Sequence, residues 1–285
     1  MADGRAGLTV GWLPTFVVIG AQKSGTTSLI HHLGEHPDVF ALKREVHFFD
    51  RHLDRGAEWY RQRFAAAGHE RAIGEGTPEY MYVDGVAPRL AALLPDARLI
   101  AILRNPVDRA YSQYWHNRTR GHEPLDFESA LAAEPERLRA ADARQRARYA
   151  YVDRGRYLGQ LERICDQFPR SALEIVLFED LCRAPVPVVQ SLYRFLDVDH
   201  QVVPNGVGRK RNPFIVYRSQ RLREPISGLP FPLQRLAFRL NTKRTTYPAM
   251  PNDLREELHD GFAPDNAALA RWLGRDLSAW GVTGS

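Results

Sequence analysis

The chain has 285 residues, 44% hydrophobic and 26% charged, with a formal net charge of +5 and a pI near 9.3. That is enough apolar material for one large α/β domain or two small ones, and the mild basic excess is not a polybasic tail. The two cysteines, Cys165 and Cys182, show neither a disulfide framework nor metal-type pairing, and no apolar run approaches the roughly 20 residues that span a bilayer. The N-terminal MADGRAGLTVGWLP carries no long apolar segment, so no signal peptide is expected and a cytoplasmic location is the default. The charge balance suits an anionic ligand, nucleic acid or an acidic surface, although most arginines read as a solvated exterior.

Phe16, Val17, Val18 and Ile19 form a short apolar run that suits a strand buried on both faces. Gly20 breaks it, and Gly25, Thr26, Thr27 and Ser28 lead into the helix-like LIHHLGEH. Strand, glycine-containing loop and helix start bring backbone N–H groups and the positive end of a helix dipole together, which favours an anion. The spacing from Gly20 to Gly25 matches a Walker A loop, but Thr26 stands where its lysine belongs and Lys23 lies inside the loop. The group held here is therefore expected to be phosphate-like yet handled differently from ATP.

Pro37 and Asp38 mark a turn, Val39 to Leu42 a short strand, and Phe48 and Phe49 core anchors. Between them lie Lys43, Arg44, Glu45 and His47. Glu45 and His47 can project into one cleft, or they form an ion pair on a surface loop; the stretch alone favours the second. A helix-like stretch starts at Trp59, a short strand covers Arg71 to Gly76, and Thr77-Pro78 turns the chain. An amphipathic helix follows over Val86 to Leu94. Leu99 to Leu103 is a second buried strand ending at Arg104, and Asn105-Pro106 opens a helix on which Arg109, Ser112 and His116 recur on one face. An arginine at a strand end with a serine on the next helix can hold a second anionic group at the edge where open α/β sheets bind ligands.

Glu123 to Arg148 reads as polar surface helix and Tyr149 to Phe168 as one longer helix carrying Arg154, Tyr157, Leu161 and Ile164. Leu173 to Phe178 is a third buried strand, followed by a helix from about Val186 to Leu196. This alternation predicts a parallel, doubly wound sheet. GVGRKRNPF and LNTKRTTYP are basic and turn-rich, either solvated loop or a lid over an anion. Asn252 to Trp280 reads as two short amphipathic helices whose Phe262, Leu269, Trp272, Leu273, Leu277 and Trp280 pack inward.

The QKSGTTS loop, the KREVHFFD stretch and RNPVDRAYSQY, in this order and spacing, resemble the sulfotransferases that use 3′-phosphoadenosine 5′-phosphosulfate (PAPS). The likeness is to the branch with the heparan sulfate N- and O-sulfotransferases and their bacterial relatives, and it covers nearly the whole chain. It implies a P-loop-like three-layer α/β fold, a central parallel β-sheet flanked by helices. It further implies one domain over residues 1–285, with 1–13 a flexible N-terminus and 199–251 a basic lid or loop region.

The resemblance also implies roles. Lys23, Ser24, Gly25, Thr26, Thr27 and Ser28 hold the 5′ group, and Arg104 and Ser112 the 3′-phosphate. Arg154 and Tyr157 lie on the cofactor side, and Lys243, Arg244 and Thr245 match a loop that closes on the cofactor. Glu45 falls at the general base and His47 at a second active-site position, with Lys23 neutralising charge on the bridging oxygen. In-line attack by a hydroxyl, with an amine as second choice, then releases adenosine 3′,5′-bisphosphate, with no metal required. Gly76 in Glu75-Gly76-Thr77-Pro78 replaces a lysine that relatives acting on heparan sulfate often carry, so the expected acceptor is a glycan, glycosylated or other natural product. The competing classes are a P-loop NTPase or small-molecule kinase, opposed by the missing lysine position and metal carboxylates, and a nucleic-acid or polyanion binder, opposed by scattered basic residues without an aromatic platform.

Overall fold

The computed structural model describes residues 12–140, 142–204, 206, 215–217, 233, 237, 240, 242–244 and 247–281. Most of the 1–13 segment and of the basic 199–251 region, including Thr245, lies outside them. The chain divides into two compact units, Met1–Arg104 with Gly159–Arg209, and Asn105–Leu158 with Lys210–Ser285.

The first unit is built on five parallel strands: β1 (Phe16–Gly20), β2 (Val39–Leu42), β3 (Ala72–Gly76), β4 (Arg98–Leu103) and β5 (Leu173–Leu177), in the order β2-β3-β1-β4-β5. β1 pairs with β3 through Phe16–Gly74 and Val18–Gly76, and with β4 through Phe16–Arg98 and Val18–Ile100. Phe16 to Ile19 and Leu99 to Leu103 are fully buried, as strands covered on both faces must be. Phe16, Val18, Ile100 and Ile102 share one face with Leu29, Ile30 and Leu33 of α1 (Thr26–Leu33) and with Val189, Leu192 and Tyr193 of the helix Pro185–Phe195. Val17, Ile19, Leu99, Ala101 and Leu103 alternate to the other face. The expected three-layer arrangement is therefore present, a parallel sheet flanked by helices. Gly74 is required at its place, because a Cβ there would come within 2.5 Å of the Phe16 ring and carbonyl.

Parallel strands send all their carboxyl-end loops to one edge. The loops after β1, β2 and β3 gather there, and two short helices, α2 (Phe48–Arg51) and α3 (Gly56–Gln62), follow β2. Beyond β3 and β5 come helices Val86–Leu93 and Phe178–Arg183.

In the second unit the helix Pro106–Thr119 opens as the Asn-Pro signal predicts. The Asn105 side chain accepts from Val107 N at 3.0 Å and Asp108 N at 3.4 Å, and Pro106 occupies the first turn. Its core joins Val107, Tyr111 and Tyr114 to Phe127, Tyr151, Met250, Leu258 and Phe262.

Three sequence readings are corrected. Tyr149 to Phe168 is not one helix: it divides into the end of helix Ala143–Tyr149, a 3-10 turn Asp153–Gly155 and helix Tyr157–Cys165. Glu134 accepts the N–H groups of Val152 and Asp153 at 2.8–3.0 Å, and a Cβ at Gly155 would come within 2.8 Å of the Phe262 ring. Glu123 and Glu134 are buried rather than on a polar surface, Glu123 beneath Arg137 at 2.6 Å and Tyr151 at 2.8 Å. The C-terminal segment is one 22-residue helix, Asn252–Leu273, that runs through Pro264 and ends at left-handed Gly274, followed by a 3-10 turn. Among the described residues no helix is long and apolar enough to cross a membrane.

Candidate active site

The loop after β1 is shaped by its backbone. Ala21 N bonds Ile102 O on β4 at 2.8 Å, and Ser24 N bonds Ala21 O at 3.2 Å. Lys23 (φ 70°) and Gly25 (φ 95°) both adopt the left-handed region, which glycine enters freely and lysine at a cost of about 1 kcal/mol. A Cβ on Gly25 would approach the Phe178 ring to 3.0 Å. Gly25 caps α1, which has no side-chain cap and no acidic residue in its first turn. The buried Ser24 hydroxyl has no partner. Left-handed glycine, uncapped helix start, orphaned hydroxyl and a lysine in the loop are the features of a phosphate cradle.

Arg104, at the end of β4, donates to Lys23 O at 3.2 Å and lies 4.9 Å over the Phe178 ring. It thus braces the same loop.

The loop after β2 is shaped by side chains. His47, at φ 54°, starts α2. Its Nε2 meets Glu45 Oε2 at 3.1 Å and its Nδ1 meets Asp50 Oδ2 at 3.0 Å. Burial pulls the imidazole pKa down, but the bonds from Asp50 and Glu45 and the charges of Asp50 and Glu79 outweigh it and raise it to about 9. At neutral pH His47 is an imidazolium that donates to both carboxylates. Glu45 is half exposed at 46%, while the Asp50 side chain is 3% exposed. The base candidate can meet a substrate, and Asp50 is its buried anchor. Glu45 and His47 therefore do form the ion pair that the plain sequence reading favours, but inside a larger cluster.

That cluster reaches the first loop. Arg51 Nε lies 3.2 Å from Asp50 Oδ2, and its NH2 group 3.7 Å from Glu79 Oε1. Gln22, beside Lys23, donates to the same Glu79 oxygen at 3.1 Å. Residues from the loops after β1, β2 and β3 thus form one continuous polar chain from Gln22 to Glu45. Glu45, His47 and Glu79 bring ligand atoms within 4.8 Å of one another. A cation bound through His47 Nε2 would displace that nitrogen's proton and its bond to Glu45 and leave the Nδ1 bond to Asp50 in place.

Sequence reasoning missed Asp50 and Glu79. Asp50 could have been found from its i+3 spacing to His47 on a short helix. Glu79 carries no local signal.

In the second unit Ser112 is half-buried on its helix. Arg109, one turn earlier, is fully buried, donating to Gln113 Oε1 at 2.6 Å and to the Tyr151 carbonyl. Arg154 is buried in the 3-10 turn and donates to Ala147 O at 2.8 Å. Tyr157 is 1% exposed against Trp280, ring centroids 6.0 Å apart, as a packing residue. Lys243 and Arg244 lie in the strand Thr242–Arg244, antiparallel to Ile215–Tyr217 with Val216 opposite Lys243.

A family profile described as the sulfotransferase domain matches residues 13–209. A solved sulfotransferase from Alicyclobacillus acidocaldarius is 33% identical, with a TM-score of 0.72 over 94% of this chain and 99% of that one. Mouse heparan sulfate glucosamine 3-O-sulfotransferase 3A1 is 28% identical over 271 residues, covering 93% of this chain and 64% of its own length. Human heparan sulfate glucosamine 3-O-sulfotransferase 6 is 28% identical over 94% of this chain and 74% of its own. The chain spans under two thirds of the mouse relative. With the profile covering more than half of the residues and a solved relative matched end to end, the chain belongs to the sulfotransferase domain family.

Proposed function

We propose that this protein moves a sulfuryl group from PAPS to a hydroxyl of a glycan, glycosylated or other natural-product acceptor and releases adenosine 3′,5′-bisphosphate. The observation that carries this is the polar chain joining an uncapped, lysine-bearing loop to a half-exposed carboxylate held by a half-buried imidazolium.

In this reading the first-turn N–H groups of α1, with Ser24, Thr26, Thr27 and Ser28, receive the 5′-phosphosulfate. Lys23 stabilises charge gathering on the bridging oxygen as the S–O bond breaks. Arg104, at the end of β4, takes the 3′-phosphate. Glu45 removes the proton of the attacking hydroxyl, which a weak acid needs in the transition state. His47, charged at neutral pH, aligns Glu45 through one N–H and is itself aligned by Asp50 through the other.

The heparan-acting relatives suggest a sugar hydroxyl as acceptor. The environment of residue 76 argues against a heparan-like one. A Cβ on Gly76 would come within 2.7 Å of Ile30 Cγ1, so Ile30 fills the space a longer side chain would need.

Calorimetry with adenosine 3′,5′-bisphosphate and mass spectrometry of metabolite extracts supplied with PAPS test the reading. Glu45→Ala is expected to lower transfer by roughly 10²–10⁴-fold while nucleotide affinity stays within about threefold. Full activity in that variant would remove Glu45 as the base. Nucleotide affinity unchanged in both Lys23→Ala and Arg104→Ala would remove the cradle.

A further inference from the structure

One buried ionisable group beneath this machinery has no role in it so far. Glu75, on β3, is fully buried, a position that a carboxylate tolerates only when well bonded. Three hydroxyls supply the bonds: Tyr60 to Oε1 at 3.0 Å, Tyr80 to Oε1 at 2.9 Å, and Thr77 to Oε2 at 2.6 Å. Two of these hydroxyls also serve the loop after β2. Val46 N and His47 N donate to Thr77 Oγ1 at 3.2 and 3.3 Å, and Phe48 N donates to the Tyr80 hydroxyl at 2.8 Å.

The proton inventory is restrictive. A hydroxyl owns one proton. Where a backbone N–H points at its oxygen, that proton must go elsewhere, and for both Thr77 and Tyr80 it goes to Glu75. Glu75 Oε2 therefore accepts from Thr77 and Oε1 from Tyr80, while burial pushes the carboxyl pKa up and the hydroxyl bonds hold it down.

We propose that Glu75 is a positioning residue for the transfer reaction: it fixes the Thr77 and Tyr80 hydroxyls with their lone pairs toward Val46, His47 and Phe48, and so holds His47 in its left-handed conformation and Glu45 in line. The catalytic meaning of this arrangement rests on the proposed function; the geometry does not. Tyr60 provides an internal contrast, because it bonds the same carboxylate and is not one of the hydroxyls that accept from the loop.

The test follows the His47 imidazole by NMR pH titration of the full chain. In Glu75→Gln the amide NH₂ replaces one acceptor oxygen and faces a hydroxyl whose proton points inward, so that proton must turn away and the hydroxyl no longer holds its lone pairs fixed toward the loop. The His47 titration is expected to move from about 9 toward its ordinary value by about one unit or more. Thr77→Val and Tyr80→Phe should do the same, Thr77→Ser should restore the native titration, and Tyr60→Phe should leave it near the native value. An unchanged titration in Glu75→Gln and Thr77→Val overturns the proposal. A shift in Tyr60→Phe as large as in Tyr80→Phe also overturns it, since that would be a general loosening of the core. If Glu75→Gln does not fold, the Thr77→Val and Thr77→Ser pair decides. Calorimetry with adenosine 3′,5′-bisphosphate on the native chain keeps the two readings apart: no binding would remove sulfuryl transfer from PAPS and leave the His47 comparison to judge Glu75.

Discussion

The loops after β1 and β2 carry the two halves of the proposed chemistry, and they are built differently. The first is a backbone object: left-handed Lys23 and Gly25, an uncapped helix start, and main-chain bonds to β4. The second has little regular structure of its own. Its conformation comes from side chains that arrive from elsewhere, Thr77 and Tyr80 from beyond β3, with Asp50 and Arg51 folding back from α2. An anion can be held by backbone N–H groups that any sequence with the right glycines presents. A base must be aimed, and aiming takes partners fixed in three dimensions.

The largest expected break in this comparison is through pH. His47 has a folded pKa of about 9 against 6.5. A raised pKa contributes stability that is fully present below 6.5 and is lost as pH rises through about 9, with a ceiling of about 3 kcal/mol. Thermal unfolding should fall by roughly 5 °C between pH 6.5 and 9.5 on this account, and His47→Gln should flatten that slope while leaving nucleotide binding nearly intact. A slope equally steep in His47→Gln would show that the second loop is not held this way.

Gly25→Ala addresses the first loop alone. The left-handed φ costs an alanine about 1–2 kcal/mol, and the new methyl presses on Phe178, which underlies Arg104. Adenosine 3′,5′-bisphosphate affinity should drop by roughly tenfold, a loss of about 1.4 kcal/mol, whereas the His47 titration should not move. Movement of both would mean that the loops behave as one body.

The smallest effect sharpens the joint between them. A double-mutant cycle of Gln22→Ala and Glu79→Ala should give a coupling of about 0.5–1 kcal/mol by calorimetry, as for a single partly buried hydrogen bond. Zero coupling would detach the two halves.

Much of the fold is legible in the chain. β2 is read to the residue as Val39–Leu42, and β4 and β5 within one residue, because buried strands announce themselves as short β-branched runs bounded by glycine, proline or charge. The C-terminal helix is misread because Pro264 looks like a break, yet Leu258, Phe262, Asn266 and Leu269 are all buried along one stripe, and packing outweighs one lost backbone bond. The segment from Tyr149 is misread for the opposite reason. It has helical periodicity, but Glu134 takes the N–H groups that would continue the helix.

For the site the division is similar. Lys23, Ser24 and Gly25 stand out in the sequence because a short loop and its neighbours in the chain carry the pattern, whereas Glu45 is singled out only by the family resemblance. Glu79 as the link to Gln22 and Glu75 beneath the loop come only from the tertiary structure, whereas Asp50 as the second partner of His47 has a local i+3 signal. An anion cradle is written by consecutive backbone conformations, which local sequence determines. The ionisation and aim of an imidazole depend on carboxylates up to 32 residues away (His47 to Glu79), and only the register of β1, β2 and β3 brings those to within hydrogen-bonding reach.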